Sequence, residues 1–196
     1  MKTQTKDTKR QILAVGRRLT AQHGYARVGL NELLKAADVP KGSFYHYFPS
    51  KEAYGCALLE DFIAQYRQAL TETLNDTTRT SRDRFLAYFE DWKRKQTGDD
   101  LQDRCLVVKL SAEVADLSPD MSRILNQGVD SIISALTHTL QEGMSEGSIA
   151  ALKDPNNIAK SIYYQWLGAT LVSGLSCDDT ALDAALRATQ MAIPPA

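Results

Sequence analysis

Cysteine is scarce in this chain, with three in 196 residues. An odd and small number argues against a disulfide scaffold. No apolar run reaches the roughly 18 residues that a membrane-spanning helix needs. The first residues, Met1-Lys2-Thr3-Gln4-Thr5-Lys6-Asp7, carry no apolar stretch of a secretory signal, so no membrane association and a cytoplasmic location are expected. Strand signals are nearly missing, as are internal repeats and low-complexity tracts. No metal-ligand spacing, Gly-rich phosphate loop or paired-carboxylate motif occurs, so neither a metal nor a cofactor is expected. His23, His46 and His138 are the three histidines, and none has a recognisable local catalytic partner.

What is present is an ordinary globular composition, 43% hydrophobic and 24% charged. The net charge of −1 conceals an asymmetry. Residues 1–51 hold ten Lys/Arg (Lys2, Lys6, Lys9, Arg10, Arg17, Arg18, Arg27, Lys35, Lys41, Lys51) against three acids (Asp7, Glu32, Asp38), a balance of +7. The other 145 residues hold thirteen basic and twenty-one acidic side chains, a balance of −8. One part facing a polyanion and one held away from it would account for the split. Chance clustering on a solvated face is the plainer alternative.

Helical periodicity predicts an all-α chain of about nine helices. Helix 1 is expected over 6–23, with Ile12, Val15 and Leu19 on one face and Gly24 as its C-terminal cap. Helix 2 is expected over 29–37, with Leu30, Leu33, Leu34 and Ala37 as one buried stripe. Asp38-Val39-Pro40 breaks it, because a residue before proline avoids helical dihedrals. Helix 3 is expected over 41–48, anchored by Phe44 and Phe48. Ser50 reads as the N-cap of a long helix reaching Leu74. Further helices are expected over 81–96, 105–117, 119–142, 155–171 and 180–191, with Ser118 and Asp154 as caps followed by proline.

A helix as short as 41–48 cannot persist alone, since nucleation is costly. Held by neighbours, it presents Lys41, Gly42, Ser43, Tyr45, His46 and Tyr47, with Lys51 just beyond. Two helices joined by a short turn, the second polar on one side, form a helix-turn-helix signature. Base edges in the major groove would be read by Ser43, Tyr45 and His46, and phosphates held by Lys41 and Lys51. Taken singly, Tyr45, His46 and Lys51 also read as plain polar surface.

The run Val39-Pro-Lys-Gly-Ser-Phe-Tyr-His-Tyr-Phe-Pro-Ser-Lys-Glu-Ala resembles the helix-turn-helix of the TetR family of bacterial transcriptional regulators, with a match over residues 9–54. The resemblance implies a homodimer with an N-terminal helix-turn-helix domain (1–52) and a C-terminal helical ligand-sensing and dimerisation domain (53–196). It implies a repressor that binds a double-stranded DNA operator and leaves it when a small-molecule inducer enters. Carried onto this sequence, the DNA contacts are Gly29, Lys41, Ser43, Tyr45, His46, Tyr47 and Lys51. Gly29 stands where the family has Ser or Thr, which removes a side-chain phosphate contact. Helices 119–142 and 155–173 are the expected dimer interface, and two-fold symmetry then implies a pseudo-palindromic operator.

The segment Asp103-Arg-Cys-Leu-Val-Val-Lys-Leu-Ser-Ala-Glu-Val114, with Asp116-Leu-Ser-Pro-Asp-Met121 and Trp166-Leu-Gly-Ala169, is similar to the electrophile-sensing subgroup of the N-ethylmaleimide reductase repressor type. There a cysteine at the position of Cys105 is the reactive sensor. Arg104, Lys109 and a helix start would favour the reactive thiolate of Cys105. The apolar Leu106-Val107-Val108 fit a packed core cysteine equally. The subgroup's partner lysine is Gly174 here, which leaves direct alkylation or oxidation. Cys56 reads as structural, and Cys177 stands beside Asp178 and Asp179, whose charges oppose a thiolate. Tyr88, Trp92 and Trp166, with Phe89, Tyr163 and Tyr164, line a ligand pocket or form plain core. Three readings follow: a repressor sensing an electrophile or oxidant at Cys105; a repressor with a purely non-covalent pocket and a structural Cys105; and, more remotely, an enzyme with Cys105 as nucleophile. A helical adaptor that binds protein through the basic domain is a further reading, which the charge and the groove-sized helix oppose.

Overall fold

The computed structural model describes residues 2–98 and 106–196, with side chains described from Thr8 onward except those of residues 106, 109, 112 and 115. The described residues form helices joined by turns: α1 (Lys2–His23), α2 (Leu30–Ala36), α3 (Lys41–Tyr47), α4 (Lys51–Leu74), α5 (Ser81–Thr97), α6 (Leu106–Leu117), α7 (Pro119–Glu146), α8 (Pro155–Ser176) and α9 (Thr180–Ala192). They group into two compact units, one of Met1–Gln65 and Asp100–Gln127, the other of Tyr66–Asp99 and Gly128–Ala196. The three N-terminal helices thus share a unit with the first part of α4, with α6 and with the start of α7.

In the first unit α1 ends at Gly24, whose φ of +83° only glycine adopts without strain. Ile12 and Leu19 are buried as their spacing predicts, but Val15 is half-buried. On α2, Leu33 and Leu34 are buried while Leu30, in the first turn, is half-buried. A seven-residue helix covers only two turns of core, so its end residue reaches the rim. Asp38 turns the chain with a φ of +51°, and Pro40 opens α3 from an extended conformation. Phe44 and Phe48 are buried and meet Tyr54 at ring-centroid distances of 5.5 and 5.3 Å. This aromatic triad fastens α3 to the start of α4. Ser50 caps α4, its Oγ accepting from the Ala53 amide at 3.0 Å.

The second unit is built on aromatics. Phe85, Tyr88, Phe89 and Trp92 of α5 and Tyr163 and Trp166 of α8 are all buried. Phe89 stacks on Trp166 at 4.9 Å, and Trp92 meets Tyr163 edge-on at 5.6 Å. The indole N–H of Trp92 donates to Thr170 at 3.0 Å and that of Trp166 to Thr189 at 2.9 Å, so neither buried polar group is orphaned. Buried Arg84 donates to the Leu74 carbonyl and to Ser81 Oγ, tying α5 to the last turn of α4.

Two helices run past their expected ends. α7 continues to Glu146 rather than stopping near 142, and the left-handed residue is Gly147, at φ +80°. Gly143 stays helical: a Cβ there would lie 2.5 Å from Ile149 Cδ1, so its role is close approach, not termination. α8 continues to Ser176 and ends on Cys177 in the left-handed region. Asp154 caps α8 as expected, accepting from the Asn157 amide at 3.0 Å.

Candidate nucleic-acid interface

The burial of Phe44 and Phe48 fixes which way the rest of α3 faces. Lys41, Gly42, Tyr45 and His46 are exposed, and Ser43 and Tyr47 are half-buried. Tyr45 stands 47% exposed, a large aromatic turned outward. It leans edge-on against Phe44 at 5.4 Å, and His46 against Tyr47 at 5.0 Å, so inner rings support outer ones. A methyl group at Gly42 or at Gly29 would meet no atom within 4 Å, so nothing in the chain itself requires glycine there. Gly29 caps α2 with no side-chain hydrogen bond, as expected of a residue with no side chain to offer one.

Lys51 opens α4 beside this face. Its Nζ lies 5.3 Å from the centre of the Tyr25 ring, and the Tyr25 hydroxyl donates to the Lys51 carbonyl at 2.7 Å. Burial, helped by Cys56 and Glu52, pushes the Tyr25 hydroxyl up to about 12, so it stays a donor at neutral pH. Lys9 lies over Phe48 at 5.6 Å on the same unit. The arrangement is a short polar helix on an aromatic footing, flanked by cations: chemistry for phosphates and base edges. Among the described residues no group of three His, Cys, Asp or Glu is placed to hold a metal, and no helix is long and apolar enough to cross a membrane.

The sensing residues separate. Cys105 lies outside the described residues, as does the side chain of Lys109. Tyr88, Trp92 and Trp166 are together in the buried aromatic cluster of the second unit, 7%, 5% and 0% exposed. Cys56 borders a groove of about 450 Å³ with Ser50, Glu52, Glu60, Asp120 and Arg123. Its thiol is pushed up by burial and then by Asp120, Glu52 and Glu60, against a smaller opposing effect of Arg123, so it stays protonated. Cys177 is exposed.

Comparison with known proteins finds two family profiles along the chain. The profile of the bacterial regulatory proteins of the tetR family matches residues 12–53, and that of the tetracyclin repressor-like C-terminal domain matches residues 81–189. The chain belongs to the TetR family. Its TetR helix-turn-helix match takes in α2, α3 and Lys51, the surface just described. The HTH-type transcriptional repressor NemR of Escherichia coli (strain K12) is 43% identical over 180 residues, covering 92% of this chain and 90% of that protein. The transcriptional regulator AcuR of Cereibacter sphaeroides is 29% identical over 160 residues, covering 82% and 73%. The crystal structure of the reduced form of E. coli NemR superposes with a TM-score of 0.92 at 42% identity, over 97% of this chain and 98% of that one.

One contact had no signal in the sequence. Glu113 of α6 accepts from the Ala26 amide at 2.9 Å, across 87 residues. Neither residue type nor spacing announces such a pair. Only the folding of α6 against the α1–α2 turn brings them together.

Proposed function

We propose that this TetR-family chain is a dimeric transcriptional repressor that reads a pseudo-palindromic operator with α3 and leaves it when an electrophile or oxidant modifies Cys105. The observation that carries the DNA reading is the outward set Lys41, Gly42, Tyr45 and His46 standing on buried Phe44 and Phe48. Lys51, the half-buried Ser43 and Tyr47, and the cap residue Gly29 complete the DNA face. Lys41 and Lys51 hold phosphates, and Tyr45 and His46 reach into the groove. The likeness to the repressor NemR supports repression as the sense of regulation.

Dimerisation rests on α8. Tyr164, Leu171, Val172 and Leu175 are 50%, 55%, 50% and 78% exposed, and their spacing places them on one stripe of the helix. Such a stripe fits a helix–helix contact with a second copy. Two α3 helices would then meet successive major grooves.

In the sensing step, the Cys105 thiolate adds to the β-carbon of an unsaturated carbonyl compound. A carbon–sulfur bond forms, the π electrons pass to the α-carbon, and that carbon takes a proton from water. Arg104 and Lys109, basic neighbours in sequence, favour the thiolate. The NemR crystal structure at 42% identity is of a reduced form, which supports a redox-responsive reading.

The test is fluorescence anisotropy with a palindromic duplex selected by the protein. Tyr45→Ala with Lys51→Ala weakens binding at least about tenfold, and Lys51→Ala alone lowers the salt slope by about 1. N-ethylmaleimide releases wild type and not Cys105→Ser. Equal release of both would leave a non-covalent pocket as the account of induction. Unchanged affinity of the double variant would remove α3 and Lys51 from the DNA face.

A further inference from the structure

The α1–α2 turn, Gly24-Tyr25-Ala26, is held from two sides by residues far away in sequence. From α6, Glu113 accepts the Ala26 amide at 2.9 Å. The same carboxylate lies over Gly24, where a Cβ would stand 2.3 Å from Oε1, so glycine makes room for it. From α4, the Lys51 carbonyl accepts the Tyr25 hydroxyl at 2.7 Å, and the Lys51 ammonium lies over the Tyr25 ring. A second tie runs beside the first: Ser118 Oγ, at the α6–α7 junction, donates to Glu52 of α4 at 2.6 Å. Glu113 therefore holds, from α6, the two residues on either side of Tyr25, whose side chain meets Lys51.

We propose that Glu113 is a positioning residue for DNA binding: its carboxylate fixes the Gly24–Ala26 turn, and through Tyr25 the start of α4, so that Lys51 and α3 face DNA together. The proposal rests on the assignment of Lys51 and α3 as the DNA face. It adds the route by which α6, whose first residue follows Cys105 in the chain, acts on that face. Glu113 itself touches no DNA in this scheme. A carboxylate facing the polyanion would be repelled by it, which separates this role from a contact role.

The experiment compares full-length wild type, Glu113→Ala and Glu113→Gln for operator affinity, with hydrogen exchange at the Ala26 amide read in each. Glu113→Ala is expected to weaken operator binding about tenfold, the effect of losing one charge-assisted hydrogen bond, and to speed Ala26 exchange by a similar factor. Glu113→Gln keeps an oxygen that accepts the Ala26 N–H and is expected to stay within about threefold of wild type in both. Glu113→Ala combined with Tyr25→Phe should be less than additive, because both cut one chain of contacts. If Glu113→Ala does not fold, Glu113→Asp, one methylene short of the amide, replaces it.

Wild-type affinity in Glu113→Ala overturns the proposal. So does equal weakening in Ala and Gln, which would point to charge alone, and so does additivity with Tyr25→Phe. Tyr45→Ala and Lys51→Ala are measured alongside. If those two bind like wild type, the DNA-face assignment fails and the proposal falls with it; if they weaken binding and Glu113→Ala does not, the proposal alone fails.

Discussion

Gly16→Ala makes the sharpest stability test of the helix-turn-helix. Gly16 lies mid-helix on α1, where alanine ordinarily stabilises by about 0.5–1 kcal/mol. Here the new Cβ would fall 1.7 Å from the Tyr54 hydroxyl oxygen and 2.9 Å from Cζ. The ring has nowhere to retreat. Tyr54 is 2% exposed, with Phe44 and Phe48 at 5.5 and 5.3 Å. Overpacking of this kind costs about 1–3 kcal/mol, and it exceeds the propensity gain. The net expectation is a loss of about 1–2 kcal/mol, a fall in Tm of roughly 2–8 °C for a chain of this size. Tyr54→Phe removes the clashing oxygen, which has no hydrogen-bond partner among the described residues. That change alone should be neutral or stabilising, by up to about 1 kcal/mol. Joined with Gly16→Ala, it should restore about 1 kcal/mol or more beyond additivity. Calorimetry at one fixed protein concentration reads all four proteins, because association would make Tm depend on concentration. The displaced ring also pushes on Phe44, so operator affinity should fall with stability in Gly16→Ala and recover in the double variant. A Gly16→Ala protein as stable as wild type would refute the reasoning, since it would mean that the α1–α4 contact has slack.

Three further outcomes follow from the geometry. Burial raises the Tyr25 hydroxyl to about 12, and it raises that of Tyr54 still further, above an ordinary value of 10.0. The unfolded chain therefore loses these protons first, and the stability they contribute is whole below pH 10 and drains away as pH rises toward 12. Denaturant melts across that window should show the decline, and Tyr25→Phe should flatten it. Trp166→Phe leaves Thr189 without its indole donor in a fully buried site and should cost about 1–3 kcal/mol in chemical denaturation, with operator affinity of the folded protein unchanged. Leu175→Glu places a charge at the most exposed apolar position of α8 and should shift the protein toward monomer in light scattering, whereas a monomeric wild type would remove α8 as the dimer contact.

Much of this protein is local information, legible along the chain before it folds. Helix starts and stops are written in caps and breakers: Ser50, Asp154 and Gly24 act where their chemistry predicts, because a cap needs only its own next turn. The Phe44/Phe48 spacing sets which face of α3 turns inward, and so which residues turn out. The charge split and the motif around α3 point to DNA before any fold is known. Whatever depends on a distant neighbour was settled by the fold. Gly143 lies just past the expected end of its helix at 142, yet the helix runs on and Ile149 makes Gly143 a packing position. Tyr88, Trp92 and Trp166 have the same helical spacing whether they line a cavity or fill one, and only their neighbours close them into a cluster. Glu113 reads as one more solvated acid until the fold sets it against the Ala26 amide. Periodicity tells a residue which side of its own helix it occupies; which helix lies opposite is settled only when the chain closes on itself.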